Sequence, residues 1–222
     1  MTRIALIHAL AHSPPPINAA LARDWPEAER MNLLDDSLSA DLARSGRLDA
    51  AMTRRFLSLA DYCVDQGADA ILFTCSAFGP CIAAVAARHA GLPVLKPNEA
   101  MVEEAEALAK LRGGRIGLVA SFAPTLLSMP PEFSAAHQPL CALAQGSMDA
   151  LNTGDLEAHD DGAVAAALSL LAQGCSVIAL AQFSLARAAP LVAQCSGLPV
   201  LTTVDSAVRK LRRLVAARQA AA

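Results

Sequence analysis

The sequence predicts an α/β protein built from two pseudo-symmetric lobes, each with a parallel four-stranded sheet, and two observations carry that expectation. The first is an internal repeat: GADAILFTCSAFGPCIAAVAARHAGLPVL, from Gly67, returns from Gly174 as GCSVIALAQFSLARAAPLVAQCSGLPVL, 107 residues on. A second echo pairs RIALIHAL, from Arg3, with RIGLVASF, from Arg115, 112 residues on, a difference that a loop insertion accounts for. The other observation is alternation: short apolar runs separated by alanine-rich helical stretches argue for βαβ units and parallel strands.

The apolar runs are Ile4–Ile7, Met31–Leu34, Ala70–Phe73, Pro93–Leu95, Ile116–Val119, Val177–Leu180 and Pro199–Leu201. Between them, Asn98 precedes EAMVEEAEALAKL, with Glu99 at the start, Lys110 near the end and Gly113-Gly114 as the stop, the order a helix dipole favours. The last helix starts near Asp205 and gathers Arg209, Lys210, Arg212, Arg213 and Arg218 toward its end, which reads as a solvated, dipole-complementing terminus. The halves divide as residues 1–112 and 113–222, two Rossmann-like lobes, with the C-terminal helix able to pack back on the first. Equivalent strand ends then flank one cleft, and ligands in open α/β sheets bind beyond the carboxyl ends of the strands.

Composition narrows the function. With 222 residues, 54% of them hydrophobic, the chain can bury a sizeable core, and no apolar run approaches the roughly 20 residues that a membrane-spanning helix needs. A formal net charge of −3 and an aromatic content of 4% give no basic stripe for nucleic acid. The start, MTRIALIHAL, reads as a first strand and not as a leader. Cys63, Cys75, Cys81, Cys141, Cys175 and Cys195 form neither C-x-x-C pairs nor zinc spacings, so reduced thiols in a cytoplasmic protein are expected. No G-x-G-x-x-G, P-loop or metal-ligand cluster occurs, and no cofactor is expected.

Chemistry is expected where the repeats diverge. The third strand ends in Thr74-Cys75-Ser76 and its counterpart in Ala181-Gln182-Phe183-Ser184, so a thiol stands in one copy where a carboxamide stands in the other. Cys75 precedes a helix starting near Gly79-Pro80, where free N–H groups would stabilise a thiolate and bind a carboxylate. Thr74 and Ser76 can donate to substrate oxygens. Ser121-Phe122-Ala123-Pro124-Thr125 is either a carboxylate-binding turn or ordinary helix capping. Gln182 and Ser184 are binding candidates beside Phe183. His8, near the end of the first strand, titrates near neutrality and is a candidate acid or base, with a satisfied structural histidine as the alternative.

Other polar positions have plainer readings. His159, beside Asp160 and Asp161, is expected at a solvated helix start. Asp36, Ser37, Asn98 and Asp205 read as helix caps, Asn32 and Asp35 can face the site, and Lys96 reads as a surface lysine, with the one cation near a carboxylate substrate as the alternative.

The duplicated halves, with strand-Cys-Ser-x-x-Gly in the first and strand-Gln-x-Ser in the second, resemble the aspartate/glutamate racemase superfamily from Arg3 to about Leu214. That superfamily also holds hydantoin racemases, maleate isomerase and arylmalonate decarboxylase. The resemblance implies a cofactor-independent isomerase or racemase acting at a carbon next to a carboxylate of a small amino-acid-like or dicarboxylate substrate. Family racemases set one cysteine at each of the two equivalent strand ends. Cys75 matches the first, whereas the second position falls on Gln182, which cannot exchange a proton usefully near neutrality. His8 or water would then serve the second face. The alternatives are a single-thiol decarboxylase, a cis-trans isomerase with Cys75 as nucleophile, and a small-carboxylate binding protein without turnover. A homodimer or higher homo-oligomer is expected by analogy.

Overall fold

A computed structural model describes residues 1–221. They form two compact units: Met1–Pro97 joined by the chain from Ala207 onward, and Asn98–Ser206.

The first unit runs β1 (Arg3–His8), α1 (Pro14–Asp24), β2 (Glu29–Leu34), α2 (Ser37–Ser45), α3 (Ala50–Asp65), β3 (Ala70–Phe73), α4 (Gly79–Arg88) and β4 (Val94–Leu95). Its sheet is parallel throughout, in the order β2-β1-β3-β4. β1 and β3 are buried on both faces, which is why they read as unbroken apolar runs. β2, at the edge, alternates between exposed and half-buried residues beyond Arg30. Strand order reverses between β1 and β3, so their carboxyl ends form the switch point of this sheet.

An aromatic cluster supports those ends from below. Phe56 of α3 lies 5.3 Å from Phe73, ring centroid to centroid, and 4.9 Å from Phe78. Asp49 caps α3 by accepting the Met52 N–H, while Arg55, one turn further on, donates through Nε to Asp35 at 2.7 Å and through Nη1 to Asp41 at 2.7 Å.

The second unit runs α5 (Glu99–Arg112), β5 (Arg115–Ala120), α6 (Thr125–Ser128), β6 (Leu140–Leu143), α7 (Ser147–Thr153), α8 (Leu156–Leu171), β7 (Cys175–Leu180), α9 (Ala189–Ser196) and β8 (Val200–Thr202). Its order, β6-β5-β7-β8, repeats that of the first, again all parallel. Gly117 lets β5 lie close to its neighbours, since a Cβ there would stand 2.9 Å from Ile178 Cδ1 and 3.0 Å from Leu170 Cδ1. A final helix, α10 (Thr203–Ala220), completes the order of elements. Among the described residues no helix is long and apolar enough to cross a membrane.

Several local expectations change. The strand β6 did not stand out in the sequence, because Leu-Cys-Ala-Leu is short, lacks β-branched residues and forms a partly exposed edge. The units do not divide at residues 112 and 113: α5 buries Met101, Val102, Ala105 and Ala109 in one core with Ile116, Leu118, Val177 and Ala179, and so belongs to the second. The terminal helix belongs largely to the first, where Arg212 donates to the Asp24 carbonyl, Arg218 to the Asp69 carbonyl and Gln219 to Thr2. Its basic residues are therefore partly engaged and not simply solvated. At the start of α10 the cap is Thr202, whose hydroxyl accepts the Asp205 N–H at 2.9 Å and faces the Asp205 carboxylate at 2.8 Å. Asn98 and Asp36 make no side-chain cap bond, and the Ser37 hydroxyl donates to Asp35.

Phe56→Ala removes the ring shared by both aromatic contacts. It is expected to lower the unfolding free energy by about 3–5 kcal/mol in a denaturant titration, and a loss under about 1 kcal/mol would contradict the supporting role of this cluster.

Candidate active site

Parallel pairing of β1 and β3 continues one residue past β3, where the Thr74 N–H donates to the Ile7 carbonyl at 3.1 Å. That bond draws Thr74 beside His8 and sets Cys75 just beyond the switch point. Cys75 is extended (φ −132°, ψ 121°), after which Ser76–Phe78 form a 3-10 turn leading into α4. Cys75 and His8 share a narrow recess walled by Phe56, Phe73 and Phe78, while Ser76 is exposed.

The expected thiolate gives way to a thiol. Cys75 is half-buried against the apolar cluster, and burial pushes its pKa up more strongly than the Ala77 N–H at the sulfur draws it down. The free N–H of the following turn is present, but desolvation outweighs it. Near neutrality Cys75 therefore rests as the protonated thiol.

His8 is fully buried, with Nδ1 2.9 Å from Thr74 Oγ1 and Nε2 3.0 Å from Asn32 Oδ1. Burial pushes its pKa down, with a smaller opposing effect from the Asn32 hydrogen bond, so the ring is neutral at neutral pH. Both ring nitrogens are engaged. Asn32 bonds the ring and Asn18, while Asp35 is held by Arg55.

In the second unit the equivalent strand-end bond runs from the Ala181 N–H to the Val119 carbonyl at 2.9 Å. Ser121 follows β5 and Gln182 follows β7, at that sheet's switch point. The Gln182 Oε1 accepts the Ser121 N–H at 2.6 Å and the Ser121 hydroxyl at 3.0 Å. The N–H and hydroxyl of Ser121 are thus taken by a side-chain carbonyl, and α6 starts from Pro124 without a side-chain cap bond. The amide also gains a fixed orientation, with its NH₂ end left over. Phe122 is exposed and Thr125, half-buried, opens the four-residue α6. Phe183 and Ser184 open the 3-10 turn Phe183–Ala188, the first buried and the second half-buried.

His159 is not at a solvated helix start but fully buried. Its Nδ1 lies 2.9 Å from Asp160 Oδ1, and its carbonyl accepts the Ser147 hydroxyl of α7. Arg187, from the turn after Gln182, closes the same corner by donating to Asp160 and to the Leu156 carbonyl. Lys96, half-buried, follows β4. Two residues absent from the sequence reading matter here: Asn18, in a proline-led helix without a motif, and Arg55, whose acidic partners come from other elements.

Two four-stranded parallel sheets of the same strand order give the duplicated α/β fold of the racemase type. The model of the Asp/Glu/Hydantoin racemase family matches residues 16–211, and the chain belongs to that family. No curated protein matches it significantly. Among solved structures it is similar to unliganded arylmalonate decarboxylase, at 17% identity and a TM-score of 0.66 over 97% of this chain and 93% of that one. Allantoin racemase from Klebsiella pneumoniae is 18% identical, with a TM-score of 0.67 over 97% and 88%. Glutamate racemase from Thermus thermophilus is 17% identical, with a TM-score of 0.68 over 98% and 82%. At these identities the likeness establishes the fold.

Because burial raises the Cys75 pKa, the thiol is protonated below its ordinary value of 9.0 and ionises only above it. Alkylation of Cys75 followed against pH, with Cys75→Ala as the blank, is expected to show a midpoint above 9.0; a midpoint near 7 would contradict the dominance of burial.

Proposed function

We propose that the protein is a cofactor-independent enzyme acting at a carbon next to a carboxylate of a small amino-acid-like or dicarboxylate substrate, with Cys75 transferring the proton. The observation that carries the reading is the placement of Cys75 at the carboxyl end of β3, beside the switch point, with its thiol held protonated by burial. A protonated thiol at a strand end is prepared to quench a carbanion or enediolate. The reading accordingly favours delivery of a proton to one face of such an intermediate.

Stabilising that intermediate is the larger energetic task. In the first unit the exposed Ser76 hydroxyl is the proposed donor to the developing oxyanion, since Thr74 and His8 are engaged with each other. In the second unit Gln182 is proposed to contact substrate through the NH₂ end that Ser121 leaves unoccupied. Phe122, Thr125, Phe183 and Ser184 are proposed as further contacts. His8 is neutral and bonded through both nitrogens, which argues against the catalytic base first expected of it.

Two other reactions share this chemistry. One is reversible exchange at a single face, in which the minor thiolate population removes the proton; the Ala77 N–H at the sulfur supports that form. The other is decarboxylation, with the thiol reprotonating the product carbon. Racemisation by two thiols is disfavoured by Gln182.

Proton NMR in heavy water, over a panel of amino acids, hydantoins, 2-hydroxy acids, maleate and substituted malonates, tests the reading. At least one compound is expected to gain deuterium at a carbon next to its carboxylate or to give a labelled product, and Cys75→Ala is expected to reduce that rate by at least about a hundredfold. Undiminished exchange in Cys75→Ala, or binding without proton transfer to carbon, would overturn it.

A further inference from the structure

The backbone of Gln182 is held on both sides. Before it, the Ala181 N–H donates to the Val119 carbonyl at 2.9 Å, and after it the Leu185 N–H returns to the Gln182 carbonyl at 3.1 Å to start the turn Phe183–Ala188. The amide therefore follows that turn. Leu185 and Ala188 pack the turn into the core with Ala163 and Leu170 of α8, but apolar packing has no direction. Direction comes from Arg187, whose Nη1 donates to the Leu156 carbonyl at 2.7 Å and to Asp160 Oδ1 at 3.1 Å. The same Asp160 oxygen faces His159 Nδ1 at 2.9 Å, and a carboxylate oxygen only accepts, so Nδ1 carries a proton and donates. Two donors on one oxygen turn the carboxylate toward Arg187. The His159 carbonyl in turn accepts the Ser147 hydroxyl at 3.0 Å, which fastens the start of α8 to α7.

The repeat shows what this arrangement replaces. The helices α3 and α8 are each 16 residues long and start from capping aspartates, Asp49 and Asp155, 106 residues apart. At that offset Phe56 falls on Gly162, while the strand-end offset of 107 sets Phe78 on Leu185. The first unit joins helix to turn through the Phe56–Phe78 contact of 4.9 Å. The second cannot, because a Cβ at Gly162 would stand 2.2 Å from Ser147 Oγ. Its helix and turn are joined instead by His159, Asp160 and Arg187, whose counterparts at these offsets are Thr53, Arg54 and Pro80. An ion pair whose arginine side chain is 38% exposed adds little to stability. The fully buried His159 even leaves Nε2 without a partner among the described residues, which costs stability. Packing alone favours the aromatic solution; the polar one supplies a fixed orientation.

We infer that Arg187, Asp160 and His159 are positioning residues of the second switch point, which fix the turn after Gln182 against α8 so that its amide keeps the carbonyl on Ser121 and presents the NH₂ end in one orientation. The inference rests on the proposed role of Gln182 as a substrate contact, and it assigns the orientation of that contact to residues that do not touch substrate. Loss of this clamp is a loss of binding and not of proton transfer, which belongs to Cys75.

The first test needs no substrate. In proton–nitrogen NMR of the full chain, the Gln182 NH₂ pair, assigned by its loss in Gln182→Met, is expected away from the position of free glutamine amides. Arg187 is partly exposed, so Arg187→Met keeps the fold and is expected to move the pair toward that position, as is Asp160→Leu. Asp160→Asn, which retains an accepting oxygen, is expected to leave it in place. Ala166→Gly, which weakens the same helix two turns away, is expected to leave it as well. A pair unmoved in Arg187→Met, or displaced as far by Ala166→Gly, would overturn the inference. Nitrogen NMR of His159 is expected to show the proton on Nδ1, and a bare Nδ1 would overturn the place of His159 in the clamp.

The second test uses whichever compound exchanges or reacts in heavy water. Arg187→Met is expected to raise its KM about tenfold with kcat within about twofold, and Asp160→Asn to restore most of the loss. A fall in kcat at constant KM would overturn the inference. A displaced amide with KM unchanged would support the positioning while overturning Gln182 as a substrate contact. If no compound reacts, the proposed reaction fails and the amide resonance still decides the inference.

Discussion

The Thr74 N–H bond to the Ile7 carbonyl carries the pairing of β1 and β3 one residue beyond β3, and what happens at the strand ends depends on it. It aligns the Thr74 hydroxyl with His8 and leaves Cys75 as the first residue free of the ladder. The side chain at that point cannot escape the apolar layer below, because Phe56, Phe73 and Phe78 wall the recess. Two opposing influences then meet at one sulfur: desolvation, which favours the thiol, and the Ala77 N–H, which favours the thiolate. Desolvation is the larger, so the same packing that supports the sheet also sets the protonation of the candidate catalytic group.

The two repeats solve the same geometric problem with different chemistry. Each continues its central pair of strands by one bond, from Thr74 in one and Ala181 in the other. Beyond that bond the first unit has a thiol backed by a histidine chain, whereas the second has an amide whose carbonyl is fastened to the N–H and hydroxyl of Ser121. Gln182 brings no acid or base to the place where the family's racemases carry a second thiol, but its fixed orientation makes it a defined donor. On the proposed reading the duplication has diverged into one proton-transferring end and one binding end.

Much of this arrangement was legible in the sequence. The repeat announced two sheets of equal build, and Ile4–Ile7, Ala70–Phe73 and Val177–Leu180 read as strands because both their faces are buried. Cys75 and Gln182 were found from their register in the repeat. What could not be read depends on contacts between distant segments. The Cys75 pKa follows from Phe56 and its neighbours, while His8 is bonded by Thr74 from beyond β3 and by Asn32 from β2. His159 looked solvated because Asp160 and Asp161 follow it, yet Ser147 and Arg187 arrive from elsewhere to close that corner. The edge strand β6 lacked a signal because edge pairing asks little of side chains.

The central claim is that a single thiol serves a single face of the reacting carbon. It is tested most directly by the stereochemistry of deuterium delivered in heavy water, with labelled product resolved by chiral chromatography and NMR. The account predicts label in one configuration only. Equal labelling of both enantiomers, under conditions where the product does not racemise by itself, would contradict it.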